Sequence, residues 1–299
     1  MDMNIRQLHP FFVGEVTGID LCHPLTAETV DAIDRAMQKY AVLVFHDQHF
    51  TDDQQVAFAE SLGEVDTVVR KYMTRLSDKL SDISNLMPDG SVRPVDDSLR
   101  LYTIANRLWH SDSTFREIGA KYSMLSAREI PATGGDTQFA DERAAFAALS
   151  PEAQAEARQL NVVHVSYQSR RMLNFYDKFP EDDWPPKVNP LVRVAADGRP
   201  ALYLASHASH IEGWPVAEGR MLLLDLIEHA TQTQFVYTHK WKVGDFVIWD
   251  NRCTLHRARR TNPNERRDLR RTTIRDVPRA THATRPISDN SAVDASVSA

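Results

Sequence analysis

The chain has 299 residues, of which 42% are hydrophobic, and this is enough to bury a substantial core. Its formal net charge of −6 excludes a global basic field that would attract nucleic acid, and its two cysteines, Cys22 and Cys253, exclude a disulfide framework. Because the first residues lack a signal-peptide pattern and no apolar run approaches the roughly 20 residues of a membrane span, we expect a cytoplasmic protein without a membrane partner.

The first 50 residues predict short strands, a helix and a buried strand. Residues 9–20 favour short strands around two glycines. Thr26 is a suitable N-cap, and the apolar residues Val30, Ile33 and Met37 after it have helical spacing. The mostly apolar segment 41–47 is typical of a buried strand.

A second helix and a long polar segment follow. Thr51 or Asp52 can cap this helix, which is predicted to end at Gly63. The stretch 64–106 is mixed in composition, and we expect loops there with one short strand at 82–86.

From Tyr122 onward the pattern is that of short strands separated by turns. The predicted strands are 122–130, 136–141, 161–167, 190–195, 201–206 and 246–251, and the predicted helices are 141–160 and 216–232. Many short strands with few helices predict a mainly β fold with helical cover, either a β-sandwich or a jelly roll. Residues 1–283 are expected to form one domain, and the tail 284–299, rich in Ser, Ala and Asp, is expected to be disordered.

The residues that indicate chemistry begin with Trp109-His110-Ser111-Asp112. Because side chains two apart on an extended strand point to the same side, His110 and Asp112 can reach one cation. His256 follows another predicted strand and can supply a third ligand. Two histidines and one carboxylate on one face are the ligand set of non-haem iron(II) oxygenases, although zinc can use the same three.

An arginine supports iron with a 2-oxo acid. Arg267 lies eleven residues after His256, and arginine binds carboxylates through two parallel hydrogen bonds. If residues 268–275 form a strand beside the one that precedes His256, the Arg267 guanidinium can face a ligand on the metal. A metal-bound 2-oxo acid with an arginine on its far carboxylate is the arrangement that 2-oxoglutarate needs.

Longer motifs carry a family resemblance. They are LWHSDSTF (108–115), YSMLSA (122–127), GGDTQFADERAAFAAL (134–149), HASHIEGWPVAEGRMLL (207–223), EHATQTQFVYTHKWKVGD (228–245), VIWDNRCTLHRARR (247–260) and RRDLRRTT (266–273). With these motifs the sequence resembles the TauD/TfdA family of Fe(II)- and 2-oxoglutarate-dependent dioxygenases nearly throughout, up to about residue 276. The resemblance implies a double-stranded β-helix (jelly-roll, cupin-like) core.

The resemblance also implies site residues. His110, Asp112 and His256 would bind Fe(II), and Thr137 and Arg267 would hold the distal carboxylate of 2-oxoglutarate. Trp249 would pack beside the iron. The residues that would bind an acidic substrate are Arg271, Lys71, His207 and His210. Dioxygen is the second cosubstrate, ascorbate is expected to stimulate turnover, and family members are commonly homo-oligomers.

Several of these assignments have plainer alternatives. Lys71 is equally suited to a surface position, and His207 and His210 could be structural histidines. Asp89-Gly90 is followed by Ser91, where the close relatives carry a lysine. The segment 64–106 also departs from theirs in length and composition, and such segments form lids over the site in this family.

The resemblance implies hydroxylation of the ether-side carbon of an aryloxyalkanoate such as 2,4-dichlorophenoxyacetate, giving a phenol, glyoxylate, succinate and CO2. The same mechanism on a taurine-like sulfonate or another aryl carboxylate is one alternative, and a non-catalytic ligand-binding jelly roll is a second. A third alternative is a nucleic-acid binder that uses the arginine-rich run 257–275. The acidic net charge and the lack of aromatic residues in that run argue against it.

Overall fold

The computed structural model describes residues 3–67, 75–175 and 184–278. The strands are β1 (Asn4–Gln7), β2 (Gly14–Thr17), β3 (Val42–Phe45), β4 (Ser81–Ser84), β5 (Ala120–Glu129), β6 (Thr137–Asp141), β7 (Asn161–His164), β8 (Lys187–Pro190), β9 (Val192–Val194), β10 (Pro200–Leu202), β11 (Ala208–Ile211), β12 (Val236–His239), β13 (Phe246–Asp250), β14 (Thr254–Ala258) and β15 (Asp268–Arg275). The helices are α1 (Ala27–Tyr40), α2 (Asp52–Leu62), α3 (Ser98–Thr103), α4 (Glu142–Ala147), α5 (Pro151–Ala157), α6 (Gln168–Arg171) and α7 (Val216–Ala230).

The largest sheet has seven strands in the order β1-β2-β3-β13-β5-β15-β4. All neighbours are antiparallel except β2 and β3. The central strand β13 is buried at every position, because both faces of the sheet are covered. On one face, Phe246 and Ile248 pack with apolar residues of α1 and α2. On the other face, Val247 and Trp249 pack against the second layer.

That second layer is a three-stranded sheet in the order β12-β6-β14. Phe139 of β6 packs with Trp249 of β13 and Leu269 of β15, so the two sheets share one apolar interior. Two smaller sheets, β11-β7-β8 and β10-β9, extend the structure. A further apolar cluster joins these sheets to α4 and α7. The predicted mainly β architecture with helical cover is therefore present.

Hydrogen bonds explain where the two N-terminal helices begin. The Thr26 hydroxyl accepts a hydrogen bond from Thr29 N and caps α1 as predicted. Of the two caps considered for α2, Thr51 is the one that the structure shows. Its hydroxyl accepts from Gln54 N, and the Gln54 side chain accepts from Thr51 N, which forms a capping box.

Some predicted elements differ from those observed. The helix predicted over 141–160 is divided into α4 and α5, because Ser150 caps a new helix whose first residue is Pro151. The segment 64–106 contains more than loops and one strand. Its described part holds β4, α3 and a short 3-10 helix, Ile104–Arg107.

The strand predicted over 268–275 is β15, but its neighbour differs from the one expected. β5 lies between β13 and β15, so β15 does not lie directly beside the strand that precedes His256. Strand order depends on long-range pairing, which local sequence patterns do not specify. The direction of the side chains on β15 is independent of this order, because it follows from the two-residue period of a strand.

Candidate metal centre and active site

The three predicted metal ligands meet where the chain after α3 passes β14. His110 and His256 form an antiparallel bridge, with His110 N to His256 O at 3.0 Å and His256 N to His110 O at 2.8 Å. Asp112 follows two residues later. One ligand atom from each residue lies within 4.8 Å of the others, and all three residues are buried. Such spacing fits one cation bound on one face by two imidazoles and a carboxylate.

Hydrogen bonding and burial prepare both imidazoles to bind a metal. His110 Nδ1 donates to Leu108 O at 2.8 Å, which leaves the Nε2 lone pair free, 3.9 Å from Asp112 Oδ1. His256 Nε2 lies 3.8 Å from Asp112 Oδ2. Burial lowers the pKa of His110 and of His256, so both rings are neutral at neutral pH. A neutral imidazole is the form that binds a metal ion.

The Asp112 carboxylate is held in its charged form. Burial opposes its ionisation, but the charge of Arg271 and the hydrogen bond from Ser123 hold its pKa well below the usual range. Arg271 Nη1 donates to both carboxylate oxygens, at 3.1 and 3.2 Å. The Ser123 hydroxyl donates to Oδ2 at 2.7 Å. The cluster therefore offers an anionic oxygen between two neutral nitrogens.

Asn251 and Ser123 support this carboxylate, and sequence reasoning missed both residues. Asn251 Oδ1 accepts hydrogen bonds from Asp112 N at 3.1 Å and from Trp249 Nε1 at 3.0 Å. Asn251 Nδ2 donates to Ser123 Oγ at 2.9 Å, and that hydroxyl donates to Asp112. The signal available in the sequence was the position of Asn251 directly after Trp249-Asp250 in the family motif.

Trp249 lies beside the metal cluster and also in the interior between the sheets. Its ring centroid is 4.8 Å from that of His256 and 5.5 Å from that of Phe139. It is buried, and its indole nitrogen is bound to Asn251. Trp249 thus fixes the position of His256 by packing and that of Asn251 by a hydrogen bond.

Arg267 and Thr137 have donors suited to a carboxylate. The Arg267 guanidinium donates to Gly135 O at 3.1 Å and Ile83 O at 3.5 Å, and its buried Nε has no partner among the described residues. Burial lowers the pKa of Arg267 to about 10, so the guanidinium remains charged at neutral pH. Thr137 follows Gly135 by two residues, and its buried hydroxyl accepts from Trp241 Nε1 at 3.0 Å. Its own O–H is therefore available to donate to a carboxylate oxygen.

A cavity of about 250 Å³ opens onto the metal cluster. Two residues of that cluster, His110 and Asp112, line it. Its other lining residues include the arginines Arg93, Arg100, Arg116, Arg170 and Arg271, the aromatic residues Tyr102, Phe115 and Trp184, and His207. Neither Thr137 nor Arg267 is among the lining residues, although Ile83, whose carbonyl accepts from Arg267, is one of them. The cavity is thus cationic and partly aromatic.

Arg271 of β15 faces the cavity. Arg271 and Thr273 line the cavity, and Leu269 packs in the same interior cluster as Trp249. Arg270, between them, instead pairs with Asp52 of α2 on the opposite face. The alternation of side chains along β15 therefore places Arg271 at the cavity.

Of the other predicted substrate contacts, His207 lies at the cavity and His210 does not. His207 is buried and lines the cavity, with its ring centroid 6.2 Å from that of His110. His210 is outside the cavity lining, and its Nδ1 pairs with Ser209 Oγ at 3.1 Å. The alternation of β11 buries Ser209 and Ile211 and directs His210 away from the cavity. Lys71 lies outside the described residues.

No helix within the described ranges combines the length and apolar character that crossing a membrane requires.

Comparisons with known proteins agree with this geometry. Residues 4–273 match the family model described as taurine catabolism dioxygenase TauD, TfdA family. The alpha-ketoglutarate-dependent 2,4-dichlorophenoxyacetate dioxygenase of Cupriavidus pinatubonensis (strain JMP 134 / LMG 1197) is 46% identical over 283 residues, 92% of this chain and 99% of the relative. The (S)-phenoxypropionate/alpha-ketoglutarate-dioxygenase of Sphingobium herbicidovorans is 36% identical over 266 residues, 85% of this chain and 88% of the relative.

A solved structure supports the same relationship. The crystal structure of AAD-2 in complex with Mn(II) and N-oxalylglycine has a TM-score of 0.89 and 47% identity, covering 94% of this chain and 100% of that one. The predicted jelly-roll core is confirmed by this similarity. The chain therefore belongs to the TauD/TfdA family of Fe(II)- and 2-oxoglutarate-dependent dioxygenases.

Proposed function

We propose that this dioxygenase hydroxylates the ether-side carbon of an aryloxyalkanoate such as 2,4-dichlorophenoxyacetate. One cavity is lined by His110 and Asp112 of the metal cluster and by the cationic Arg271, and this arrangement carries the proposal. The 46% identity to a 2,4-dichlorophenoxyacetate dioxygenase supports the substrate class.

In this function His110, Asp112 and His256 hold Fe(II), and Trp249 keeps His256 in place. Arg267 and Thr137 bind the distal carboxylate of 2-oxoglutarate. The buried Nε of Arg267 has no partner among the described residues, and this supports the role, because a guanidinium with an unused donor favours binding of an added carboxylate. The free O–H of Thr137 supports it in the same way.

Substrate binding uses the remaining cavity wall. The substrate carboxylate pairs with Arg271, which places the adjacent carbon near the metal cluster. The rings of Tyr102, Phe115 and Trp184 line the cavity and suit an aryl group. His207 adds a hydrogen bond from the same wall. Lys71 and His210 stay predictions, because Lys71 lies outside the described residues and His210 is outside the cavity lining.

The bound iron supplies the activation of dioxygen that couples 2-oxoglutarate decarboxylation to substrate hydroxylation. One oxygen atom of O2 enters the substrate C–H bond and the other enters succinate, while CO2 leaves. With an aryloxyacetate the product carbon carries both the hydroxyl and the ether oxygen. Such a hemiacetal breaks its bond to the ether oxygen and gives a phenol and glyoxylate. The chain's residues contribute by orienting both carboxylates and by enclosing the reacting carbon.

A taurine-like sulfonate or another aryl carboxylate is the alternative substrate. Arg271 can pair with a sulfonate as it does with a carboxylate, because both present several acceptor oxygens. The aromatic lining favours the aryloxyalkanoate. A non-catalytic binding protein is disfavoured, because the chain has both the complete metal cluster and Arg267.

We also propose that residues 1–283 act as one domain with 64–106 as a lid. The family match over 4–273 supports the first part. Cavity-lining residues from the segment, among them Ile83, Arg93 and Tyr102, support the second. The tail 284–299 lies outside the described residues, and the homo-oligomeric state and the cytoplasmic location stay predictions.

Succinate formation by anaerobically purified protein tests the function. Fe(II), ascorbate, 2-oxoglutarate and air are supplied with 2,4-dichlorophenoxyacetate, a chiral phenoxypropionate, taurine or no substrate. Phenol released in step with succinate is the expected result. Succinate formation with taurine, and with neither aryl compound, would instead support the sulfonate as the substrate. Absence of succinate above the iron-free control, together with measurable 2-oxoglutarate binding, would support a non-catalytic protein.

A further inference from the structure

His207 has an unusual hydrogen-bonding state for a buried histidine. Its Nε2 lies 3.3 Å from Arg170 Nη1, and its buried Nδ1 has no partner among the described residues. The ring is 6% exposed and lies in the cavity wall, with its centroid 4.9 Å from that of Phe115. One nitrogen is therefore bound to the protein, and the other is left for a different group.

The contact with Arg170 determines where the imidazole proton lies. A guanidinium has only donors, so Nε2 of His207 must accept, and the ring proton is then on Nδ1. The unpartnered atom is consequently an N–H donor. A buried donor without an acceptor costs free energy, and a substrate oxygen that accepts from it removes that cost.

Arg170 is itself held in one orientation. It belongs to the short helix α6 and donates to Ser169 Oγ at 2.8 Å. Its guanidinium lies over the ring of Tyr102, 4.1 Å from the centroid, so a cation–π contact adds to the hydrogen bond. Tyr102 comes from α3, in the segment proposed as a lid. Arg170 thus joins this segment to the histidine beside the metal cluster.

We propose that Arg170 is a positioning residue that fixes neutral His207 in the Nδ1–H form, so that this N–H donates to an acceptor oxygen of the substrate. The acceptor is the ether or carboxylate oxygen of the aryloxyalkanoate, and in this respect the inference rests on the proposed function. The tautomer of His207 is independent of catalysis and can be measured separately.

The direct test is ¹⁵N NMR of protein with ¹⁵N-labelled histidine, loaded with Zn(II) and 2-oxoglutarate. His207 is assigned by the signals that disappear in His207→Asn. The expected pattern is a protonated Nδ1 and an unprotonated Nε2, with Arg170→Met shifting His207 towards the other tautomer. A wild-type His207 with its proton on Nε2, or on both nitrogens, would overturn the proposal. This measurement is made on the wild-type protein, so it does not depend on whether an Arg170 variant folds.

Kinetics with an aryloxyalkanoate tests the consequence. Arg170→Met is expected to lower kcat/KM by roughly tenfold to a hundredfold, the effect of losing a hydrogen bond in a buried site. The KM for 2-oxoglutarate should change by less than about twofold, since its binding residues are elsewhere. Arg170→Lys, which keeps a donor, should recover part of the loss. Arg171→Met is the matched control, because Arg171 is the next residue of α6 and is exposed.

A double variant separates positioning from direct contact. The amide of His207→Asn carries an N–H donor that needs no tautomer to be fixed. Adding Arg170→Met in that background should therefore lower kcat/KM by less than about threefold. An equal loss in both backgrounds would show that Arg170 acts without His207 and would overturn the proposal. Lack of turnover by the wild type, with Nδ1–H observed, would instead contradict the proposed function alone.

Discussion

His110 and His256 are joined through their main chains as well as through their proposed metal. Two backbone hydrogen bonds, at 3.0 and 2.8 Å, fix the separation of the residues, and their ring centroids lie 4.2 Å apart. The main chain therefore brings the two imidazoles together. Because the main chain holds this geometry, much of the entropy cost of ordering the ligands is met during folding, and metal binding does not have to meet it again.

Asp112→Ala should abolish metal-dependent turnover while the fold persists. The variant removes the only anionic ligand of the cluster, and we expect metal affinity to fall by more than about a hundredfold, beyond the loss typical of an outer hydrogen-bond partner. Mn(II) titration by calorimetry and succinate formation measure the two effects. Asp112→Asn removes the charge but keeps the size of the side chain, so it shows whether the loss comes from a packing defect. Asp89→Asn, at an exposed turn, is the control. Unimpaired turnover in Asp112→Ala would contradict the ligand assignment.

Arg271→Ala should raise the KM for the acidic substrate by about 10- to 100-fold, the effect of losing a charged hydrogen bond, while the KM for 2-oxoglutarate changes little. Arg267→Ala should show the opposite selectivity. Steady-state kinetics with each substrate varied in turn provides both values. Arg270→Ala is the matched control, because Arg270 lies on the same strand and faces α2. Equal changes in both KM values for Arg271→Ala would mean that the two arginines are assigned wrongly.

Arg267 was predicted from its spacing after His256, and Arg271 was implied by the family resemblance. Residues four apart on an extended strand share a face whichever strand lies beside them, so Arg267 and Arg271 could be related without a structure. The neighbour of β15 could not be predicted in this way, and β5 occupies the place expected for β13. Strand pairing between distant segments depends on the whole core rather than on a local pattern.

Asn251 and Arg170 illustrate what sequence reasoning missed. Neither is a metal ligand, and each acts on a residue far along the chain, Asn251 on Asp112 and Arg170 on His207. An asparagine after a strand and an arginine in a short helix are ordinary features, and only their tertiary contacts distinguish them. The metal ligands could be predicted because a metal restricts the residue types and their spacing much more strongly.

Asn251→Ala should weaken metal binding by roughly 10- to 100-fold, the usual effect of removing a group that orients a ligand. The substitution leaves Asp112 N and Trp249 Nε1 without their acceptor and deprives Ser123 of a donor. Ser123→Ala, which removes the direct hydrogen bond to the carboxylate, should have a similar effect. Metal affinity is measured by calorimetry, and circular dichroism checks the fold. Unchanged affinity in both variants would show that the backbone and Arg271 position Asp112 without help from Asn251 and Ser123.

The stability of the metal-free protein should fall as the pH is lowered, with His164 contributing. Its ring is fully buried, with Nδ1 bound to Thr114 Oγ1 at 2.9 Å. Burial, together with Arg193, lowers its pKa from 6.5 to about 3. Between these two values the unfolded chain holds a proton on His164 that the folded chain does not. The stability contributed by the neutral ring is therefore complete above pH 6.5 and is lost progressively as the pH falls towards 3.

His164→Asn should accordingly make the pH dependence shallower. One proton difference corresponds to about 1.4 kcal/mol of unfolding free energy per pH unit, so the slope between about pH 6 and pH 4 should decrease by up to that amount. Urea unfolding in the presence of a chelator at several pH values gives the slope. His23→Asn, at an exposed histidine, is the control for the loss of a histidine. Parallel pH profiles for His164→Asn and the wild type would mean that His164 is protonated in the folded protein over this range.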